Sequence, residues 1–463
     1  MDPCATFLPL TPVLACLLAA GLAHGSVGVG ADDWPQWRGP DGSGMARGSA
    51  PLRWSESENV LWKVAVPGRG FSTPVTWGDK LFLTTAVPIG DAPAAEPEEQ
   101  PEEQPEGQPA GDSGRRRRRS GSGPQVEQEF LVLCLDRTTG KELWRKSPRK
   151  ATPHEGYHAQ YGSFASASPV TDGERVYVSF GSWGLYCYDL SGELMWERDP
   201  GVKMQMSNAF GEGTTPALWG DSLVQVYDHE GDSFIVCLDK QTGKERWRAA
   251  RDEPSSWATP LILEHAGVVQ VVTAGTTAVR SYELATGKLL WHCSGLGANA
   301  IPTPVRNGDT VLLMTGFRNP KLMAIRLGGE GDLTGTDAVL WSTTEGTSYT
   351  PSPVLCDGRL YCLMDRGFLS CFDAATGQGL YAQERLPRGS QFKASPVGAD
   401  GHLYLASESG DVFVVRMGTQ LELVATNTLA DQFFVSSPVV AGGKLYLRSQ
   451  THLICIAAPE HGG

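Results

Sequence analysis

Thr215-Pro-Ala-Leu-Trp-Gly220-Asp-Ser-Leu-Val-Gln-Val-Tyr227-Asp-His-Glu-Gly-Asp232-Ser-Phe-Ile-Val-Cys-Leu238-Asp-Lys-Gln-Thr242-Gly243-Lys-Glu-Arg-Trp247 is four short apolar runs cut by three turns. The turns fall at Gly220-Asp221, Asp228 to Asp232 and Thr242-Gly243-Lys244. Runs of this length between such turns specify a four-stranded antiparallel meander. One such sheet cannot bury both its faces alone, so it needs neighbours of its own kind.

The chain supplies them. A small residue followed by proline marks the innermost strand of each unit, at Pro74, Pro169, Pro216, Pro260, Pro304, Pro353, Pro396 and Pro438. From Pro169 onward the spacing is 42 to 49 residues, the range of propeller blades and solenoid repeats. Four strands and no helical pattern select the propeller. The outer strands end in an aromatic at Trp144, Trp196, Trp247, Trp291, Trp341 and Tyr381, while the seventh unit offers only Leu421 to Val424. The eighth unit stops one strand short. The lone strand around Trp62 is the missing one, because an N-terminal strand there closes the ring and removes an exposed edge. The expectation is an all-β, eight-bladed β-propeller spanning 59–458.

Outside that ring, 1–25 reads as a secretory signal, with a lipid anchor at Cys16 as the lesser alternative. Residues 26–58 read as an irregular segment on the surface. Between 86 and 125 lies an insertion in blade one with six Glu from Glu96 to Glu106 and five Arg from Arg115 to Arg119. Such composition buries no core and predicts disorder. The net charge of −13 argues against a nucleic-acid partner. Five cysteines, Cys134, Cys187, Cys237, Cys371 and Cys455, share one position in the repeat and read as small buried fillers, not as disulfides.

The turn motif Asp136-Arg-Thr-Thr139-Gly140-Lys141-Glu-Leu-Trp144 recurs at Asp239 to Trp247, Ala285 to Trp291 and Asp373 to Gln378. It resembles the PQQ-like propeller repeat with its Trp-docking motif, a family that includes quinoprotein alcohol dehydrogenases and BamB-like propellers. Trp34-Pro-Gln-Trp-Arg-Gly39, Asp228 to Asp232, Arg251 to Pro254 and Gly335 to Asp337 are similar to the exported PQQ-like repeat proteins of planctomycetes. In physical terms Gly140, Gly243, Gly287 and Gly377 admit the positive φ of the turn. The tryptophans, Trp62 and Trp341 included, are large enough to wedge between blades and carry one donor to satisfy. These residues build the ring and carry no chemistry.

Ligand chemistry is expected on the face where second-to-third-strand turns meet the links into the next innermost strand. The candidates there are His154, Glu155, His158, Asp228, His229, Glu230, Trp257, Asn299 and Tyr349. The histidines and carboxylates are metal or base types, but their spacing matches no metal motif, so no metal and no catalytic residue is assigned. The chain has no adjacent cysteine pair, no haem-attachment motif and no Gly-x-Ser-x-Gly elbow. The leading reading is an exported, monomeric, non-catalytic propeller of the periplasm or envelope that binds a protein, peptide or polysaccharide. The alternative is a quinoprotein oxidoreductase holding PQQ with calcium.

Overall fold

The computed structural model describes residues 30, 32–90 and 126–458. The predicted signal segment, Cys4 and Cys16, and most of the charged insertion lie outside these residues. Of the predicted insertion, residues 86–88 belong to the strand Lys80–Pro88.

Eight antiparallel sheets form the propeller. Blade 3 is the opening stretch itself: Ala217–Trp219, Ser222–Tyr227, Phe234–Asp239 and Glu245–Ala250, in that order from the channel outward. Blade 8 takes Val439–Ala441, Lys444–Arg448 and His452–Ala457 from the C-terminal end, and Val60–Ala65 as its outer strand. The closing strand pairs antiparallel, Trp62 opposite Cys455. Blade 7 is complete after all, with an outer strand at Glu422–Thr428. Lacking a Trp, this strand gives no aromatic signal in the sequence. Trp54, 4 % exposed, enters the same apolar cluster as Ala425 and Leu429.

The Trp motif couples five of the blades to the next, and of these the Trp62 and Trp341 indole N–H groups have no partner. The indole N–H of Trp144 donates to Leu190 O, that of Trp196 to Lys240 O and that of Trp247 to Leu284 O, at 2.7 to 3.1 Å. Each ring also lies against a positive-φ glycine of the following blade: Trp62 on Gly140, Trp144 on Gly192, Trp196 on Gly243, Trp247 on Gly287, Trp341 on Gly377. Directly across the strand pair from the aromatic sit Cys455, Cys134, Cys187, Cys237 and Cys371, facing Trp62, Trp144, Trp196, Trp247 and Tyr381. The wide ring needs a small buried neighbour there. Burial pushes the thiols of Cys134, Cys187, Cys371 and Cys455 up to about 12, so they stay protonated and unreactive. All eight cysteines among the described residues are free. Trp291 breaks the pattern. Its N–H turns back to Gln270 Oε1 in its own blade at 3.2 Å, and Gly331–Asp332 pairs parallel to Trp291 and His292 as a fifth strand.

Replacing Gly243 by Ala should cost about 2–4 kcal/mol, because the Cβ meets the Trp196 ring and the φ of +68° is strained. Gly308→Ala carries a similar φ of +58° with open space around it, and should cost only about 1 kcal/mol. Urea unfolding of the two variants isolates the docking contribution. Equal losses would show that the Trp contact adds nothing.

A second device encircles the channel. The Ser or Thr before each innermost proline offers its hydroxyl to the backbone N–H of the preceding blade. The links run Thr73 N to Ser168, Ser168 N to Thr215, Thr303 N to Ser352, Ser352 N to Ser395, Ser395 N to Ser437 and Ser437 N to Thr73, at 2.8 to 3.1 Å. The ring lapses only around blade 4, where the Thr259 and Thr303 hydroxyls have no partner. Small hydroxyls at these positions are thus an inter-blade clasp, where the sequence shows only small residues.

The segment before the closing strand is irregular in backbone, but its key side chains are interior and not on the surface. Trp34 is 1 % and Arg38 3 % exposed. Trp34 exchanges backbone hydrogen bonds with Thr76 of blade 1, Pro35 accepts from Thr171 of blade 2, and Ser43 and Gly44 accept from Leu355 and Gly398 of blades 6 and 7. Arg38 donates to Pro353 O at 2.8 Å and Pro396 O at 2.9 Å. Residues 34–46 therefore cross the end of the channel nearest the first-to-second-strand turns, the turn side, and stopper it. Burial pulls the Arg38 guanidinium down to about 9, and the two carbonyls and Asp41 hold its charge in place.

Candidate functional site

With the turn side stoppered, the channel keeps a cavity of about 160 Å³ toward the other face, with Trp37 on its floor. Hydroxyls of Thr73, Ser168, Ser395 and Ser437 line its waist. Tyr161 and Trp257 flank the mouth, and both are half-buried. The Trp257 indole N–H donates to Gly211 O at 2.7 Å and its backbone N–H to Ala300 O at 2.8 Å, which fixes the ring as a wall. Tyr161 stacks on His158 at 4.8 Å and faces Phe433 at 6.4 Å. The Lys393 ammonium sits 4.6 Å over the Tyr161 ring and 2.9 Å from Asp365. Asp365 also accepts the backbone N–H groups of Tyr349 and Thr350. Burial, with Glu408 adding to it, pushes the Tyr161 phenol up to about 12, and burial raises the Glu408 carboxyl against the pull of Lys393. Arg69 clamps the loop that carries Tyr161 by donating to the carbonyls of Ala159, Gln160 and Gly162.

The nine candidate residues fall into separate groups, each with its own local partners. Asp228 is consumed in a fully buried ion pair: Arg251 Nε donates to Oδ1 at 2.7 Å and Nη2 to Oδ2 at 2.9 Å, with the Ser256 hydroxyl on Oδ2 at 2.6 Å. Burial alone pulls the Arg251 guanidinium down, and Asp228 more than offsets it, so the net shift is upward. Glu230 accepts the N–H and hydroxyl of Ser255, and His229 Nδ1 accepts the N–H of Gly231 at 3.1 Å. This trio braces a turn against the next link. Asn299 donates to the Tyr349 hydroxyl at 3.2 Å, and Tyr349 stacks on the exposed Phe317 at 5.2 Å. His154 and Glu155 bond Met204 O and Met206 N respectively. Among the described residues no three His, Cys, Asp or Glu side chains gather as a metal-binding group.

Sequence reasoning missed Tyr161, Lys393, Asp365, Glu408 and Glu212. Glu212 had one visible signal, a lone acid between Gly211 and Gly213 in a link. It accepts the N–H and hydroxyl of Ser182, and burial, with Glu155 nearby, pushes its carboxyl up to about 7. A folded pKa above the unfolded value means its stabilising protonation is complete below about 4.5 and is lost as pH rises through about 7. The Glu212→Gln variant should therefore gain on the parent between pH 5 and pH 8, by on the order of 2 kcal/mol, because Gln cannot ionise. Denaturant midpoints at the two pH values measure this. A parallel pH response in the two proteins would refute it.

The donor set of the channel does not match PQQ. PQQ is a tricarboxylate, and Lys393, the cation lining the cavity, is already paired to Asp365. Cys134, Cys187, Cys237, Cys371 and Cys455 sit out in the blades opposite the docking aromatics.

Comparison with known proteins places this geometry. The chain is 22% identical over 340 residues to "Outer membrane protein assembly factor BamB" of Yersinia pestis, covering 70% of this chain and 79% of that protein. It is 29% identical over 257 residues to the serine/threonine-protein kinase AfsK of Streptomyces griseus, a match spanning 54% of this chain and only 28% of the kinase. The crystal structure of BamB from Moraxella catarrhalis superposes with a TM-score of 0.57 at 13% identity, over 87% of this chain and 98% of that one. The quinohemoprotein alcohol dehydrogenase of Comamonas testosteroni superposes with a TM-score of 0.61 at 10% identity, over 94% and 83%. At those identities both superpositions speak for the fold alone. The family model described as outer membrane protein assembly factor BamB matches residues 128–230 and 191–422. With that match across most of its blades, the chain belongs to this PQQ-type propeller family.

Proposed function

We propose that this chain is a non-catalytic propeller of the cell envelope that binds a protein, peptide or polysaccharide through its loop-rich face. The observation that carries this reading is the channel. Residues 34–46 stopper one end, and the other end forms a shallow, aromatic-rimmed mouth. Fixed aromatic walls beside a paired cation favour recognition over turnover. Asp228 and Arg251 are spent on one ion pair, Lys393 and Asp365 on another, and Glu230 on Ser255. The Yersinia relative's description as an assembly factor agrees with a protein partner. Export and an envelope location belong to the same proposal.

The test is capture from an envelope extract by the full chain, beside a Trp257→Ala variant. A partner retained by the parent should fall roughly tenfold on the variant, as for loss of a buried aromatic anchor. Equal retention moves binding off this face. Incubation with PQQ and Ca²⁺ should give neither a bound-cofactor spectrum nor dye-linked alcohol oxidation. Stoichiometric uptake with turnover overturns the non-catalytic reading.

A further inference from the structure

Between blades 2 and 3, beside the channel mouth, lies a second cavity of about 30 Å³. At roughly 10–15 Å³ for each water-sized group, that is room for about two of them. Gln225 lines it and is 2 % exposed. Its Nε2 donates to the carbonyls of Thr214 and Val226, both at 3.1 Å. Turning the amide over would set oxygen against those two carbonyls, so the amide oxygen must face the other way. That Oε1 has no partner. His154 lines the same cavity. Its Nε2 lies 2.7 Å from Met204 O, which only accepts, so Nε2 carries a proton and, in that tautomer, Nδ1 is the accepting nitrogen. Nδ1 is buried and also has no partner. The carboxylates of Glu155 and Glu212 complete the wall.

Four acceptor side chains thus meet in the cavity, beside the hydroxyls of Ser179 and Thr214. The Ser163 and Ser166 hydroxyls that also line it bond one another at 2.8 Å, and the Ser166 hydroxyl is 3.1 Å from Ser163 O. Ser182 donates to Glu212 but not to Gln225 or His154. A buried acceptor without a donor is costly, and two in one cavity with two acids call for a group that only donates. Phe164 and Trp183 also line the cavity, and an aromatic ring can attract a cation.

We propose that this cavity takes the primary ammonium head of an alkylamine, as at the tip of a lysine side chain. Its N–H donors match Gln225 Oε1, His154 Nδ1 and a carboxylate. A guanidinium is too wide for the space, and a quaternary ammonium has no donor. Burial raises the Glu212 carboxyl, and an ammonium bound beside it draws the carboxyl down with release of a proton. The proposal rests on the binding-face reading only for which partner carries the lysine. A small amine tests it separately from the partner capture above.

The experiment measures thermal shifts of the full chain in methylammonium, potassium and tetramethylammonium chlorides at equal ionic strength, at pH 6 and pH 8. Methylammonium alone should raise Tm, with an apparent affinity roughly tenfold tighter at pH 8, where Glu212 is ionised. The Glu212→Gln variant should lose both effects. Equal shifts with tetramethylammonium overturn the proposal in favour of a general salt effect. Potassium acting as strongly as methylammonium overturns it in favour of an inorganic cation. No specific shift leaves an internal water only. Should the variant not fold, an affinity of the parent that does not change between pH 6 and pH 8 overturns it alone.

Discussion

A chain lacking residues 51–66 should lose its cooperative thermal transition. Three contributions go at once. The outer strand of blade 8 disappears, exposing the edge of His452–Ala457. Trp62 no longer docks on Gly140, and Trp54 no longer fills the flank of blade 7. Loss of two buried indoles alone costs about 6–10 kcal/mol, which is comparable to the whole stability of a typical domain. The open edge also invites pairing between molecules. Circular dichroism melting should show a broad, early transition, and size-exclusion chromatography should show oligomers. A monomer melting within a few degrees of the intact chain would mean that the ring does not depend on its closing strand.

The second large effect is expected at Arg251. Its side chain and that of Asp228 are both completely buried, and Arg251 also donates to Thr273 Oγ1 at 2.7 Å and to Tyr282 OH at 3.1 Å. Removing one member of such a pair leaves an uncompensated charge in the interior, at about 3–5 kcal/mol. Arg251→Met should show that loss in urea unfolding. The double variant Asp228→Leu, Arg251→Met should recover much of it, since no lone charge remains. A single variant within about 1 kcal/mol of the parent would show that water reaches Asp228 after all.

The blades were legible because their determinants are local. The Asp-x-x-Thr-Gly turn, the Trp beyond it and the small residue opposite all fall within one unit, and repetition exposes them. The stopper was not legible. Arg38 binds the carbonyls of Pro353 and Pro396, backbone atoms that any residue type presents, more than 300 positions away. The face was half legible. Topology alone assigned His154, Asp228 and Trp257 to it, but residue type did not tell that Asp228 would be spent on Arg251. Tyr161, Lys393 and Glu408 come from three different parts of the chain and meet only because the ring closes. None has a neighbour in sequence that signals the others.

Closure by the first strand also sets an order of events. Val60–Ala65 pairs with His452–Ala457, and the stopper's partners in blades 6 and 7 come late as well. While the chain is being made, both N-terminal elements must wait for nearly the last blade. Until then Trp34, Trp54 and Trp62 have no complete burial site. Contacts this distant in sequence make ring closure slow and leave apolar surface open in the interval. A chain of this design is most exposed to proteases and chaperones just before its final blade docks. In the finished molecule the seam between the two ends becomes a continuous sheet.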